Sequence, residues 1–285
     1  MSGALGFSTL GCSGAPLEEV LATARRHGAP GVELRAAADE PVHTGTGAEE
    51  LAVVRRRFDD AGVAVLTVCS YVHLCAPDPD EEPSGAPDAQ VEDVLAHARL
   101  ATALGARGVR VFMRDADLRD HVEGDEPTAG EERALRRLAE VAERLGPGVR
   151  VLVETHDSHS SAQRMARFLT LLEARTPHHP CGVVWDSAHT WVHGEAPAQS
   201  LDLLWPWLDY VQVKDVRSPQ DPLPVAPGAG SYPIHQLARA LHDRGWEGPV
   251  SLEWERKWHP ELPTIDEALA AARPWAAPLF GGTTP

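Results

Sequence analysis

Four apolar runs in this chain stop abruptly in ionisable residues, and that repetition constrains the fold more than any other feature. Val149-Arg150-Val151-Leu152-Val153 ends in Glu154-Thr155-His156-Asp157, and Cys181-Gly182-Val183-Val184-Trp185 ends in Asp186-Ser187-Ala188-His189. Tyr210-Val211 leads into Gln212-Val213-Lys214-Asp215, and Val250-Ser251-Leu252 into Glu253-Trp254-Glu255. A short β-branched run reads as a buried strand. A carboxylate or imidazole at its end is tolerated only at an edge, a mouth or a site, because burying an unpaired charge is costly. Four strands thus deliver polar groups from their C-terminal ends. In an α/β barrel that face carries the chemistry, whereas polar residues at the opposite ends serve stability.

The rest of the chain alternates in the same rhythm. Strands are expected near Leu5–Thr9, at Gly31–Arg35, at Val63–Val68 running on into Cys69–His73, and at Gly108–Phe112. The helical patterns begin with Pro16, placed where a first turn accepts proline, and continue with Glu49–Asp60, closed by Ala61-Gly62, and Ala89–Leu104, ended by Gly105. Glu131–Leu145, Ser161–Ala174, about Ala198–Leu204, Ile234–Arg244 and Thr264–Ala272 supply the later helices. Asp78–Asp88, rich in proline and acid, reads as an extended loop over the face onto which the third strand opens, and a polar loop runs through Asp125. About eight strand-helix units predict a parallel sheet, and eight predicts closure: a single (β/α)8 TIM barrel spanning residues 1–285. That length suits such a barrel, typically about 250 residues. The alternative, an open doubly wound sheet, lacks both G-x-G-x-x-G after the first strand and the phosphate-cradling G-x-x-x-x-G-K-S/T.

Charge and cysteines narrow the function. With 42 acidic against 26 basic residues the formal charge is -16, which repels phosphate backbones and anionic membrane surfaces. Nucleic acid and membrane are not expected partners. No apolar run reaches the roughly 18 residues that span a bilayer, and Met1–Leu10 has neither the basic start nor the apolar stretch of a secretion signal. Cys12, Cys69, Cys75 and Cys181 are scattered without a C-x-x-C pair, so they read as reduced, mostly buried thiols of a cytoplasmic protein.

The endings Glu154-Thr155-His156, Asp186-Ser187-Ala188-His189, Gln212-Val213-Lys214-Asp215 and Ser251-Leu252-Glu253-Trp254-Glu255 together resemble the sugar phosphate isomerase/epimerase family of the xylose-isomerase-like barrel superfamily. Pro227-Gly228-Ala229-Gly230 matches that family's glycine-rich loop after the seventh strand. The resemblance implies one divalent cation at the barrel mouth, held by Glu154, Asp186, Gln212 and Glu253. Gln212 departs from the pattern, which usually has histidine there. An amide oxygen suits a hard cation, so Mn²⁺ or Mg²⁺ is favoured, with Co²⁺ or Zn²⁺ as the softer alternatives. The resemblance also implies a small carbohydrate substrate, and it leaves a homo-oligomer open, since related barrels are often dimers or tetramers.

Elementary electrostatics agrees with that implication: three carboxylates converging in one mouth repel one another unless a cation neutralises them. Each residue alone also has a plainer reading. Asp186 could cap the next helix, Glu253 could pair with Arg256 or Lys257, Glu154 could sit in a structural ion pair, and Gln212 could be a hydrogen-bonding residue only. Glu253 and Glu255 share a face by the two-residue period, so spacing does not choose the ligand between them; the resemblance favours Glu253, leaving Glu255 to contact substrate or a neighbouring cation. His156 and His189 stand at substrate-contacting positions of related enzymes, or else support the ligands through hydrogen bonds. Lys214 should face the same mouth. His43, His73, Glu33 and Arg35 lie at or after other strand ends, and Trp185, Trp191, Trp254 and Trp258 are candidates for pocket walls or core.

The constellation predicts an isomerase or epimerase that removes a proton beside a carbonyl and passes through an enediolate, with Glu154 and Glu253 as the acid/base pair that the resemblance implies. The same groups would serve a lyase eliminating water from an inosose-like keto-polyol. A third alternative is a non-catalytic barrel whose metal site has decayed through Gln212. A nuclease would need a basic groove that the net charge argues against.

Overall fold

The computed structural model describes residues 4–77, 87–116, 118 and 126–281. Its eight long-range strands are β1 (Gly6–Ser8), β2 (Gly31–Arg35), β3 (Ala64–His73), β4 (Gly108–Phe112), β5 (Arg150–Glu154), β6 (Cys181–Asp186), β7 (Leu208–Val213) and β10 (Val250–Leu252). All pair in parallel, and β1 bonds to both β2 and β10, so the sheet closes into a barrel in chain order. Valines and leucines buried on both faces supply the strands, as a parallel sheet covered by helices requires. Between β8 (Asp215–Ser218) and β9 (Asp221–Val225) a separate antiparallel hairpin rises from the end of β7.

The helices follow their stop signals. α1 (Leu17–His27), α2 (Ala48–Ala61) and α3 (Ala89–Leu104) end at Gly28, Gly62 and Gly105, each in the left-handed conformation that glycine adopts without penalty. Pro16 is the residue before α1 rather than part of its first turn. α4 (Ala129–Arg144) starts at a capping box between Thr128 and Glu131, α5 (Ala162–Arg175) at Ser161, and α9 (Ile265–Trp275) at a second capping box between Thr264 and Glu267. α6 (Ser187–Val192), α7 (Pro197–Leu204) and α8 (Ile234–Asp243) complete the outer layer. The expected loop at Asp78–Asp88 lies outside the described residues except for Pro87 and Asp88, the carboxylate of Asp88 capping α3; most of the loop through Asp125 also lies outside them.

Two layers of packing result. The main core fills the space between strands and helices. Leu152, Val184 and Tyr210 form a smaller cluster of their own. Each precedes a polar residue by two positions, Glu154, Asp186 and Gln212 respectively, and alternate residues of a strand share a face. The apolar plug and the polar layer above it are therefore consecutive storeys of the same inward rows. Register keeps that upper storey level: Asp186 pairs with Gln212, and Gln212 with Ser251.

Candidate functional site

The polar storey is crossed by hydrogen bonds between strands that are not neighbours. Glu33 on β2 accepts from the Tyr210 hydroxyl at 2.8 Å and from the Gln212 amide nitrogen at 2.7 Å, both on β7. These bonds span the barrel interior. Gln212 is thus oriented by its nitrogen, and its carbonyl oxygen is left buried with no hydrogen-bond partner among the described residues. Burial pushes the Glu33 carboxyl up to about 7, opposed by the nearby hydroxyls of Ser251 and Tyr210 and reinforced by the charge of Glu253.

Asp186 closes β6 and opens α6. Its Oδ1 accepts from the amides of Ala188 at 2.9 Å and His189 at 3.3 Å, so the capping role is real. Its other oxygen is turned into the barrel, 2.8 Å from the Lys214 ammonium. Lys214 also reaches Glu253 at 2.7 Å, Glu255 at 2.5 Å and the His189 ring nitrogen at 3.2 Å. Lys214 therefore joins both glutamates of the Glu253-Trp254-Glu255 ending; neither Arg256 nor Lys257 pairs with Glu253. Burial opposes ionisation of Glu253, but Lys214 outweighs it and holds the carboxyl down at about 2. Asp186 moves the other way, up to about 8, because burial and the charges of Glu253 and Glu154 overcome the pull of Lys214. The two titrate as a pair around one ammonium.

Glu154 ends β5 with no exposed surface. Both its oxygens are buried without a hydrogen bond among the described residues; the Arg110 guanidinium on β4 stands 3.3 Å away. Burial raises its carboxyl, the nearby Glu253 adds to the rise, and Arg110 opposes it. His156 packs edge-on against His189 with ring centroids 4.7 Å apart, and its Nδ1 lies 3.2 Å from Asp157. Burial lowers proton affinity at His156, yet Asp157 and Glu154 raise it overall, whereas burial beside Lys214 holds His189 well below its ordinary value.

Ligand atoms of Asp186, His189 and Glu253 come within 4.8 Å of one another. The oxygens of Glu154 and Gln212 that accept no hydrogen bond among the described residues border the same storey. A buried polar atom without a partner is uncommon enough to need an explanation. Here four such atoms belong to three of the four residues that the resemblance implies as ligands: both oxygens of Glu154, Oδ2 of Asp186 and the carbonyl oxygen of Gln212, although Lys214 stands 2.8 Å from that Asp186 oxygen and Arg110 3.3 Å from Oε2 of Glu154. An oxygen-rich set of this kind fits a hard divalent cation.

Above the storey opens a cleft of about 300 Å³, lined by Tyr71, His73, Arg110, Phe112, Arg114, His156, Asp157, Glu253, Glu255 and Trp258, with Leu10. A larger hollow of about 660 Å³ around Arg107, Arg150 and Asp209 lies at the N-terminal ends of the strands, the stability face of a barrel. The sequence matches the xylose isomerase-like TIM barrel family over residues 21–275. The chain belongs to that family.

Within it, the chain is 27% identical over 234 residues to a putative hydroxypyruvate isomerase of Streptomyces coelicolor, covering 79% of this chain and 81% of that protein. Solved barrels of the same fold include D-psicose 3-epimerase from Clostridium cellulolyticum H10, with D-tagatose (16% identity, TM-score 0.74, 97% of this chain and 99% of the other). The IolI protein with a bound zinc atom is 17% identical, with TM-score 0.74 and 98% of each chain covered.

Several expected residues lie elsewhere. Trp185 and Trp254 are core, donating to Thr190 and the Pro263 carbonyl, and Trp191 packs on Tyr232; among the four tryptophans only Trp258 lines the cleft. His43 does not line the cleft; its ring accepts from the Gly45 amide in its own loop. Arg35 is bound to Glu40, Asp39 and Tyr71. Asp215, in the ending Gln212-Val213-Lys214-Asp215, serves the glycine-rich loop instead: it accepts from the amides of Gly228, Gly230 and Tyr232, and a Cβ on Gly230 would lie 2.3 Å from its carboxylate. Arg110 and Tyr210, which the strand endings did not mark, belong to the site. Their signal is polarity at inward-facing positions inside β-branched strands, where an apolar residue is the default.

Proposed function

We propose that this chain is a divalent-metal-dependent isomerase or epimerase of a sugar or related keto-polyol, moving a proton beside a carbonyl through an enediolate. The observation that carries this reading is the set of buried oxygens on Glu154 and Gln212 that accept no hydrogen bond among the described residues, beside the Asp186, His189 and Glu253 cluster at the C-terminal mouth of the barrel. The relatives' isomerase and epimerase activities support it.

In this proposal Glu154, Asp186, Glu253 and the Gln212 carbonyl hold the cation. When bound, it would stabilise negative charge developing on substrate oxygens as a Lewis acid. Glu154 and Glu253 carry the proton: β5 and β10 are separated around the barrel by β6 and β7, which lets the two carboxyl groups address different faces of one carbon. Lys214 and His189 bind substrate oxygens or hold Glu253 in place, and His156, His73 and Glu255 border the substrate from the cleft. The buried apolar storey beneath excludes water from the reacting carbons.

Incubation with a panel of ketoses, aldoses and inososes in deuterated water, with Mn²⁺ present, tests the reading by NMR. The proposal expects label at the carbon next to the carbonyl of at least one compound. Loss of water without a return of the proton would redirect it to the dehydratase chemistry, and no exchange with any compound would overturn it.

A further inference from the structure

In the closed sheet β1 and β10 stand between β2 and β7. Glu33 nevertheless reaches across the interior from β2, and one of its oxygens collects three donors. These are the Gln212 amide nitrogen at 2.7 Å, the Tyr210 hydroxyl at 2.8 Å and, more weakly, the Cys69 thiol at 3.9 Å. Glu33 has no exposed surface, and Gln212 and Tyr210 are each 1% exposed. The sheet is irregular at both ends of this bridge. Val32 pairs with Val65 but Glu33 with Thr67, so β3 carries an extra residue beside Glu33. Val183 pairs with Leu208 but Val184 with Tyr210, so β7 carries an extra residue just before Tyr210. Bulges of this kind re-aim the side chains around them, and the two re-aimed segments meet in one bond.

The consequence falls on the amide of Gln212. An amide has a donor at one end and an acceptor at the other, whereas the Glu33 oxygen that takes the Tyr210 hydroxyl offers acceptor character only. Turned over, Gln212 would set its carbonyl against that oxygen in a buried space, where two facing acceptors repel strongly. Glu33 therefore selects one orientation. It is the one that leaves the Gln212 carbonyl oxygen buried and without a hydrogen bond among the described residues. Among those residues Glu33 is also the one hydrogen-bond partner of the Gln212 side chain. A carboxylate behind a metal-ligating side chain commonly orients it in this way.

We propose that Glu33 is a positioning residue of the cation site: it holds Gln212 by the amide nitrogen so that the carbonyl oxygen is free to serve as a ligand. Glu33 does not line the cleft, so it acts on the site through Gln212. Its role rests on the cation-binding reading above and adds to that site a residue from the far side of the barrel.

A double-mutant cycle on metal affinity tests this, with free Mn²⁺ counted by electron paramagnetic resonance during titration into chelator-stripped protein. Glu33→Leu, which removes the acceptor, should weaken Mn²⁺ binding about ten- to hundredfold, the usual worth of a residue that orients a ligand. In the Gln212→Leu background the same change should cost no more than about twofold, because the side chain it acts through is gone. Should Glu33→Leu not fold, Glu33→Asp carries the same expectation in both backgrounds: it keeps the charge but falls one methylene short of Gln212. Losses that multiply would mean that Glu33 acts through its charge or through the fold, and would overturn the assignment. Wild-type protein that takes up no Mn²⁺ removes the cation reading and the assignment with it. Tight wild-type binding that the Glu33 variant leaves unchanged removes the assignment alone.

Discussion

Glu131 and Glu154 are both buried carboxylates in the middle of the barrel's βα sequence, and their surroundings are opposite. Glu131, 1% exposed at the start of α4, accepts from His159 at 3.0 Å, Arg167 at 2.8 Å and the Thr128 amide at 2.9 Å. Burial alone would raise its carboxyl; His159, Thr128 and Arg167 outweigh that and lower it. Glu154, fully buried at the end of β5, receives no hydrogen bond on either oxygen among the described residues, and burial raises it. A satisfied buried carboxylate rigidifies a fold, and an unsatisfied one costs stability until something else binds it. The difference therefore separates a residue that builds the barrel from one that, under the proposed function, the barrel holds in reserve for chemistry.

The largest effect expected from this contrast is on turnover. Glu154→Gln and Glu253→Gln should each slow substrate hydrogen exchange by roughly 10²–10⁴-fold, the usual worth of acid/base help. The melting temperature of the chelated protein should stay level or rise for Glu154→Gln, whose charge burial disfavours, and fall for Glu253→Gln, which leaves Lys214 without one of its carboxylates. Glu131→Ala should invert the pattern in the same two assays. It should retain exchange while losing roughly 2–4 kcal/mol in denaturant unfolding, as expected for stranding His159 and Arg167. Equal loss of stability at both positions would erase the distinction.

A smaller effect concerns acid. The Glu131 and Asp88 carboxyls are both lower in the folded chain than in the unfolded one, Asp88 because Arg137 and the α3 amides overcome its burial. Carboxyls shifted this way contribute stability that is complete above their unfolded values near 4.5 and 3.8 and is lost as pH falls through the folded values. Unfolding free energy should therefore drop below about pH 4.5, and Glu131→Gln should make that acid limb shallower. An unchanged limb would mean that Glu131 is not held by its partners in solution. The smallest effect falls on metal choice. Gln212→His should shift preference from Mn²⁺ towards Zn²⁺ or Co²⁺, and Gln212→Leu should weaken all of them, by about ten- to hundredfold if the carbonyl is a ligand. Unchanged affinities in both variants would return Gln212 to orienting Glu33.

Much of the barrel was legible because its signals are local. Short β-branched runs exposed the strands, and glycine after α2 and α3 fixed their ends to within a residue. The hairpin β8–β9 was not, since Pro222 and Pro224 argue against a strand by composition and only pairing with Asp215–Ser218 makes one. At the site, strand endings pointed to Glu154, Asp186, Gln212, Lys214 and Glu253 because a charge beside a β-branched run is conspicuous. Which group meets which depends on closure of the barrel. Glu33 bonding to Tyr210 and Gln212 joins residues far apart in sequence, and Arg110 facing Glu154 looks from sequence like any arginine in a short strand. Trp185 and Trp254 next to site carboxylates shared the strand but not the face, so the parity that marked Asp186 and Glu253 also assigns those tryptophans to the core.

The central claim is that the unsatisfied oxygens around Glu154 are completed by a cation, and a calorimetric titration of chelator-stripped protein with Mn²⁺ tests it most directly. The account predicts one ion per chain for the wild type and for Glu131→Ala. It predicts binding at least about tenfold weaker for Glu154→Gln, with the Mn²⁺-induced rise in melting temperature lost in that variant alone. Wild-type protein that takes up no Mn²⁺, or a Glu154→Gln variant that binds it as tightly as the wild type, would contradict the claim.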